Sequence, residues 1–225
     1  MKKMILVSGS GDTVAWFRVE LLQEFIDRSY KVYVLAPDIR DELKPALLDI
    51  GVEFLEIKLH RKGFNIFNLC SSIIELQKIF RSIKPDLIFS YTHKAIITAS
   101  IASRISGFTN TYSLITGTGH IFDSESLKQK ALQTLGSFAL RSALNFNRLV
   151  FFQNPDDRRL FKNKKIVNVS KTKLINGSGV NFQKFKITKL PPEPIFLCMA
   201  RLIKSKGLEE FARAAKRVKK LYPEA

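Results

Sequence analysis

The sequence predicts an α/β fold in which a mostly parallel sheet is covered by helices on both faces. Short apolar runs alternate with longer stretches of helical period, which is typical of consecutive strand–helix–strand units. Several of the runs, such as KVYVLA and RLVFFQ, are almost continuously apolar, as expected for strands buried on both sides. Apolar residues make up 45% of the 225-residue chain, which is enough for a sizeable core.

The elements follow one another regularly. We predict strands at Met4–Val7, Val32–Ala36, Val52–Ile57, Leu87–Ser90, Thr111–Ile115, Leu149–Gln153, Lys173–Ile175 and Ile195–Ala200. We predict helical stretches at Val14–Arg28, Asp41–Ile50, Ile66–Ile83, Ala95–Ser106, Ser126–Asn145 and Asp156–Asn163, and a basic amphipathic helix after the last strand. Gly51 and Gly107 follow helices as stop signals, and Pro85 separates a helix from the next strand.

A proline-rich segment, KITKLPPEPIF, predicts a domain boundary. Proline fixes φ and lacks a backbone donor, so the segment is expected to be a stiff, extended connector. We therefore predict one α/β domain at residues 1–189, and at residues 190–225 the linker with the first strand and helix of a second. Cys70 and Cys198 are far apart in apolar contexts, which predicts reduced, buried thiols rather than a disulfide or metal site.

The chain carries a formal net charge of +17, which predicts an anionic partner such as nucleic acid, an acidic membrane or a phosphorylated small molecule. Between Ser126 and Lys189, 14 basic residues face 2 acidic ones. A solvated face explains any single lysine, but for the whole segment we favour a binding face. Because no helix-turn-helix, zinc-finger or RNP-like pattern is present, no specific nucleic-acid partner is expected. No apolar run approaches the ~18 residues of a membrane span, so any membrane contact should be peripheral.

Ligands of open parallel sheets bind at the carboxyl ends of the strands, and this directs attention to the loops after the predicted strands. In SGSGDTVAWFR, Gly11 permits close ligand approach, although a tight turn explains it equally well. In SYTHK, Lys94 is a candidate for contact with a phosphate or a sugar hydroxyl. His93 in the same loop is either a ligand contact or simply exposed.

Two further loops carry unusual residues. In SLITGTGHIFDSES, Gly117 and Gly119 flank a threonine, and His120 is either presented to a cleft or exposed on a hairpin-like connection. In FQNPDDRRLFK, Asn154 is expected to cap a helix that has Pro at its first position. Its place after a strand also makes Asn154 a candidate for substrate contact.

The last two loops are candidate anion sites. Gly177 and Gly179 in LINGSGVNFQKF either cradle an anion with their backbone amides or form an ordinary turn. In ARLIKSKG, Arg201 and Lys206 flank a loop that leads into a helix N-terminus. Two cations beside unpaired helix amides are well suited to a diphosphate.

Taken in order, these loops resemble the retaining glycosyltransferases of family 4, which have the GT-B fold. The matching segments are NGSGVNFQKF, the proline-bearing linker, and FLCMARLIKSKGLEEFARAAKRV. The SYTHK and ITGTGHIF loops further resemble the branch that extends undecaprenyl-diphosphate-linked saccharides, often with N-acetylhexosamines. The resemblance implies two Rossmann-like domains, one for the acceptor at residues 1–189 and the start of one for the nucleotide-sugar at 190–225.

The resemblance also implies roles for the candidate residues. Arg201 and Lys206 would neutralise the departing nucleoside diphosphate, and His120 would correspond to the family's histidine near the transferred sugar. The other candidates are expected to bind substrate: Gly11, His93, Lys94, Gly117, Gly119, Asn154, Gly177 and Gly179. No metal and no other cofactor is implied. The family's paired glutamates, spaced E-x7-E, are missing, because Glu209, Glu210 and Glu224 have the wrong spacing.

The expected function is therefore transfer of a sugar, an N-acetylhexosamine, from a UDP-sugar to a polyprenyl-diphosphate-linked saccharide in cell-surface glycan synthesis. The expected partners are the nucleotide-sugar, the lipid-linked acceptor and an anionic membrane, at the cytoplasmic face of the cell membrane. Because the donor-binding glutamates are missing, we expect the chain as given to be inactive without the rest of the donor domain. The alternatives are an inactive acceptor-domain remnant, one half of a split enzyme, or a nucleic-acid-binding α/β protein.

Overall fold

The computed structural model describes residues 1–59, 65–118, 127–200 and 202–223. The chain forms two compact units, Met1–Gly179 and Val180–Ala225. In its described residues, the first unit contains a seven-stranded parallel sheet of order β3-β2-β1-β4-β5-β6-β7. The strands are β1 Lys2–Ser8, β2 Tyr30–Ala36, β3 Glu53–Glu56, β4 Leu87–Tyr91, β5 Thr111–Ile115, β6 Leu149–Phe152 and β7 Thr172–Leu174. The predicted parallel α/β fold is confirmed.

Seven described helices connect the strands of the first unit. They are α1 Gly11–Phe17, α2 Val19–Asp27, α3 Pro45–Leu48, α4 Ile66–Ile83, α5 His93–Ile105, α6 Leu127–Asn145 and α7 Pro155–Asn163, with short 3-10 turns at Asp41–Leu43 and Val169–Lys171. The prolines at the starts of α3 and α7 suit the first helical position, where no amide donor is needed.

The core explains the nearly continuous apolar runs. Successive strand residues point to opposite faces of the sheet, and helices cover both faces. One layer joins Ile5, Val7, Leu35 and Ile88 to Leu76, Phe80, Ala95 and Ala99 of α4 and α5. The other joins Met4, Leu6, Val32 and Val34 to Val14, Leu22 and Leu47 of α1, α2 and α3. A third cluster packs α5, α6 and α7 against β5 and β6.

The strand order reverses between β1 and β4, because β2 and β3 extend the sheet on one side of β1 and the later strands on the other. The carboxyl ends of β1 and β4 therefore flank the topological switch point, where ligands of open α/β sheets bind. This arrangement brings the loop at Ser8–Gly11 next to the loop at Tyr91–His93.

Two predicted helices are interrupted. The predicted helix Val14–Arg28 is split into α1 and α2 because Arg18, with φ −131° and ψ −1°, leaves the helical conformation. The predicted helix Asp41–Ile50 is a 3-10 turn followed by the single turn of α3. Pro45 separates the two, since a proline inside a helix lacks the amide donor and clashes with the preceding turn.

The second unit differs from the prediction at its strand. Residues 186–200 contain neither helix nor strand, so the strand predicted at Ile195–Ala200 is wrong. A strand requires a neighbour to take up its backbone hydrogen bonds, and no described segment pairs with these residues. The basic helix does form, as α8 at Leu208–Leu221. The boundary between the two units, after Gly179, precedes the predicted boundary at residue 189.

Both cysteines are free, but neither is fully buried. Cys70 is exposed on the solvent side of α4, and Cys198 is half-buried in the unpaired segment, so the prediction of two buried thiols is wrong. Among the described helices, none combines the length and the apolar character needed to cross a bilayer. Within the same residues, no group of three or more His, Cys, Asp or Glu side chains is placed to hold a metal ion.

Candidate functional site

The loop after β1 is packed against the loops after β4 and β2. The Gly9 amide donates to Thr92 Oγ1 at 3.1 Å, and a Cβ atom at Gly9 would lie 2.6 Å from that oxygen. A Cβ at Gly11 would lie 2.6 Å from Ile39 Cβ, and the Gly11 amide already donates to the carbonyls of Pro37 and Asp38. Close packing therefore explains why position 11 is a glycine. From the sequence alone, this glycine is proposed as a point where a ligand approaches the backbone closely.

His93 links three loops at the carboxyl edge of the sheet. It is the first residue of α5, its ring hydrogen-bonds to the Gly117 backbone after β5, and the Asp157 carboxylate of α7 is close enough to interact electrostatically. Burial lowers the pKa of His93, while the hydrogen bond and Asp157 act in the opposite direction. The net direction is downward, so the imidazole is neutral at neutral pH. It donates one proton and keeps its second nitrogen as an acceptor.

Lys94 lies in the first turn of α5 beside His93. Partial burial lowers the pKa of this ammonium group, and its backbone carbonyl accepts a hydrogen bond from Thr98 Oγ1 at 2.9 Å. A cation at the N-terminus of a helix is not favoured by the helix dipole. An anion bound at this helix start would interact favourably with both the dipole and the lysine.

Asn154 caps α7, as predicted. Its Oδ1 accepts from the Asp157 amide at 2.7 Å, and its Nδ2 donates to Asp157 Oδ2 at 2.7 Å. Both ends of the Asn154 amide are therefore occupied by the residue three positions later. The cap fixes the start of α7 and places Asp157 near His93.

The loop after β7 contains two glycines in the left-handed region. Gly177 has φ +78° and Gly179 has φ +79°, and added Cβ atoms would meet nothing within 4 Å. Backbone conformation rather than crowding therefore explains both glycines. Between them, Ser178 Oγ accepts hydrogen bonds from Arg18 Nη1 at 2.8 Å and from Gln153 Nε2 at 2.9 Å.

Sequence reasoning missed the residues that join these loops. Tyr91 Oη lies 3.0 Å from Thr13 Oγ1, and the Arg18 guanidinium carbon lies 4.8 Å from the centre of the Tyr91 ring. Burial raises the pKa of the Tyr91 phenol, so the hydroxyl stays protonated. The only sequence signal was an arginine inside the apolar stretch VAWFRVELL, which is unusual for the interior of an amphipathic helix.

The remaining candidate site residues lie either in the second unit or outside the described residues. Lys206 is exposed in a 3-10 turn, Lys204–Lys206, and Gly207 at φ +68° joins this turn to α8. Arg201, His120 and Gly119 lie outside the described residues. In the first unit the structure thus brings together His93, Gly117 and Asn154 with its partner Asp157.

A family model for glycosyl transferase 4-like proteins matches residues 4–154, about two thirds of the chain. The chain belongs to the glycosyl transferase 4-like family. The match spans the sheet from β1 to β6 and the loops that contain His93, Gly117 and Asn154. The resemblance to family 4 glycosyltransferases noted in the sequence is confirmed.

One curated relative of this family member is N,N'-diacetylbacillosaminyl-diphospho-undecaprenol alpha-1,3-N-acetylgalactosaminyltransferase from Campylobacter jejuni subsp. jejuni serotype O:2 (strain ATCC 700819 / NCTC 11168). It is 22% identical over 227 residues, and the alignment covers 95% of the chain. The chain spans 60% of the length of that relative.

Solved structures of other proteins share the fold of this glycosyl transferase 4-like chain. Sucrose-phosphate synthase from Thermosynechococcus elongatus aligns with a TM-score of 0.69 and 13% identity, over 97% of the chain and 60% of that protein. Anabaena Alr3699/HepE, solved in complex with UDP and glucose, aligns with a TM-score of 0.59 and 16% identity, over 84% of the chain and 47% of that protein. These likenesses confirm the Rossmann-like fold of the chain.

Proposed function

We propose that the chain contributes acceptor binding to a retaining glycosyltransferase that moves an N-acetylhexosamine from a UDP-sugar to a polyprenyl-diphosphate-linked saccharide. The observation that carries the proposal is the relative aligned along 95% of the chain, whose name specifies an undecaprenol-diphosphate acceptor and an N-acetylgalactosaminyl group. The match of residues 4–154 to a glycosyl transferase model supports it independently. Residues 1–189 would bind the acceptor, and residues 190–225 would begin the donor-binding domain.

The carboxyl edge of the sheet is chemically suited to such an acceptor. His93 offers a neutral imidazole, which can accept a hydrogen bond from a saccharide hydroxyl through the ring nitrogen that carries no proton. Lys94 and the N-terminus of α5 offer positive potential for the acceptor's own diphosphate. The backbone amides around Gly117, Gly119, Gly177 and Gly179 would make further contacts with substrate. Gly11 and Asn154, whose polar groups are already occupied within the chain, would hold their loops in place around it.

Arg201 and Lys206 would act on the donor. Negative charge builds on the nucleoside diphosphate as its bond to the sugar breaks, so fixed cations there stabilise the transition state more than the ground state. The exposed ammonium group of Lys206, in the turn before α8, is free of any described salt bridge and fits this role. Because these cations neutralise the leaving group, no metal is required. His120 would contact the transferred sugar.

A transfer assay tests the proposal. The chain, and the same chain extended with the donor-binding half of the Campylobacter relative, are incubated with radiolabelled UDP-N-acetylhexosamine and a short polyprenyl-diphosphate-linked N-acetylhexosamine. We expect the extended chain to produce a labelled disaccharide lipid, and the Lys206→Ala variant of it to lose at least about tenfold in rate, the effect of one transition-state contact. An extended, folded chain that yields no product with any UDP-N-acetylhexosamine would contradict the proposal.

We further propose that the basic segment contacts the cytoplasmic face of an anionic membrane rather than a specific nucleic acid. On α6, Leu135, Phe138 and Arg141 are exposed at a three-residue spacing, whereas Leu140 and Leu144 are buried on the opposite side. Exposed apolar side chains beside a cation suit the headgroup region, where each cation adds up to ~1 kcal/mol of attraction.

Sedimentation with anionic vesicles tests this membrane contact. We expect the protein to pellet at low salt and to be released as ionic strength rises, because salt screens surface charges. Phe138→Ser should weaken the binding, whereas Phe67→Ser, which changes an exposed phenylalanine of α4 outside the basic segment, should not. A protein that stays in the supernatant at low salt contradicts the idea.

A further inference from the structure

Arg18 is a buried cation without a described acidic partner. Only 5% of the residue is exposed, where the chain passes from α1 to α2. Its Nη1 donates to the Phe17 carbonyl at 2.9 Å and to Ser178 Oγ at 2.8 Å, and the guanidinium stacks on the Tyr91 ring. Burial lowers the pKa of Arg18, yet an arginine keeps its charge throughout the physiological range.

The neighbours of this guanidinium leave its charge uncompensated. Within the described ranges, no carboxylate lies within salt-bridge distance of Arg18, and the buried Nε has no hydrogen-bond partner. Charged groups are almost never this buried unless they are paired, because leaving water is costly for an ion. The missing negative charge is therefore the feature of this site that requires an explanation.

Ser178 connects the buried cation to solvent. Its hydroxyl oxygen accepts from Arg18 Nη1 and from Gln153 Nε2, so its own proton is free to point away from both donors. Ser178 is exposed, and it is held between the left-handed Gly177 and Gly179. A hydroxyl that accepts from a cation is a stronger donor, because hydrogen bonds in a chain polarise one another.

The position of this cluster matches that of a ligand site. Tyr91, which supports the guanidinium, is the last residue of β4 and touches Thr13 of α1. Gln153 directly follows β6, and Ser178 lies in the loop after β7. All of the contacts are at the carboxyl edge of the sheet, and Tyr91 lies at the switch point between β1 and β4.

We propose that Arg18, Ser178 and Gln153 form an anion site that takes the diphosphate group of a substrate. The three side chains offer a positive charge, a hydroxyl donor and an amide donor, and this donor set has no carboxylate to repel an anion. Ser178 would donate directly to a phosphate oxygen. Arg18, buried behind Ser178, would polarise that hydroxyl and attract the anion by its uncompensated positive charge. The anion site itself does not depend on the proposed function. Only the identity of the substrate that carries the diphosphate rests on the proposed function.

Titration with sodium pyrophosphate at constant ionic strength tests the site. Binding is followed in NMR spectra by the arginine Nε–H signals and by the Ser178 backbone amide. We expect a saturable shift of the Arg18 and Ser178 signals. Ser178→Ala should weaken the binding at least about tenfold, the loss expected for a hydrogen bond to a charged group. Ser71→Ala, on the exposed side of α4, should leave the affinity unchanged.

A second pair of variants tests the charge. Arg18→Lys keeps the charge but loses the fixed fork of donors, so it should also weaken pyrophosphate binding, whereas the exposed Arg28→Lys should not. Far-UV circular dichroism shows whether Arg18→Lys is folded; if it is not, Ser178→Ala and Gln153→Ala decide the question. Pyrophosphate that does not saturate, or that binds these two variants as tightly as the wild type, overturns the inference.

Competition identifies which substrate carries the diphosphate. Displacement of pyrophosphate by UDP assigns the site to the donor, and displacement by a short-chain polyprenyl diphosphate assigns it to the acceptor; either result supports the site. If both fail to displace bound pyrophosphate, the site does not take a substrate diphosphate and the proposal is overturned. Failure of glycosyl transfer with intact pyrophosphate binding would contradict the proposed function and leave the anion site standing.

Discussion

Thr92 Oγ1 accepts a hydrogen bond from the Gly9 amide at 3.1 Å and joins the loop after β1 to the loop after β4. Thr92 adopts φ +70° and ψ 138°, a conformation that a β-branched residue rarely takes. Strained backbone of this kind persists only where the surroundings enforce it, and it clusters at ligand sites. The contact therefore holds the two loops together at the switch point of the sheet.

Gly9→Ala should destabilise the protein. The new Cβ would lie 2.6 Å from Thr92 Oγ1, so the threonine or the loop must shift. We expect a loss of about 1–3 kcal/mol in the free energy of unfolding, as for other overpacked sites, measured by urea denaturation. Gly136→Ala in α6 is the control, because its Cβ would meet nothing within 4 Å and alanine favours a helix. Equal effects of the two substitutions would contradict this account of Gly9.

Asn147 anchors a buried polar network between β5, α5 and α6. Only 1% of it is exposed; its Oδ1 accepts from Ser113 Oγ at 3.0 Å, and its Nδ2 donates to Ser100 Oγ at 2.9 Å. Asn147→Ala leaves these buried hydroxyls short of partners and should cost about 2–4 kcal/mol of stability. The exposed Asn110→Ala, which loses only a surface contact with Arg148, should change stability by less than about 0.5 kcal/mol. If Asn147→Ala lost no more stability than Asn110→Ala, the network would not be stabilising.

The stability of the protein should depend on His93 at mildly acidic pH. The folded pKa lies below the unperturbed value of 6.5 because of burial, so the unfolded chain takes up a proton first as the pH falls. Stability should therefore fall between about pH 7.5 and about pH 5.5, on either side of the unperturbed histidine pKa. His93→Gln should lose less stability over the same range. Because both proteins contain His60 and His120, the contributions of these two residues cancel when the two pH profiles of stability are subtracted. Parallel pH profiles would mean that His93 titrates as in the unfolded chain.

Asn154 should contribute to stability as the cap of α7. Asn154→Ala removes the acceptor for the Asp157 amide and should cost about 1 kcal/mol, as for other N-cap residues. Asn163→Ala, at the exposed end of the same helix, is the matched control and should be nearly neutral. Thermal melting of both variants measures the difference, and a neutral Asn154→Ala would contradict the capping role.

The centre of the sheet was predictable because strands such as β1 and β2 are buried on both faces and so appear as apolar runs. Thr111–Ile115 and the helix Ile66–Ile83 are observed with the predicted bounds. The break at Arg18 was not predicted, since the apolar period continues through it. The strand at Ile195–Ala200 was predicted from its composition alone, whereas a strand also requires a partner.

The candidate site was only partly predictable. Glycines and capping residues carry local signals, and so the cap at Asn154 and the turn at Gly177 and Gly179 could be identified from the sequence. Contact of these three residues with a substrate stays a prediction. Arg18 and Ser178 are separated by 160 positions and meet only because β1 and β7 belong to one sheet. Contacts of this kind depend on strand order, which composition and periodicity do not specify.

Binding of a lipid-linked acceptor tests the central claim most directly. A water-soluble, short-chain polyprenyl-diphosphate N-acetylhexosamine is titrated into the protein by calorimetry, beside the matching monophosphate. We expect saturable binding of the diphosphate, tighter than that of the monophosphate by at least about tenfold, because the carboxyl edge offers cations and helix amides to the extra phosphate. No binding, or equal affinity for the two lipids, would contradict an acceptor site in this chain.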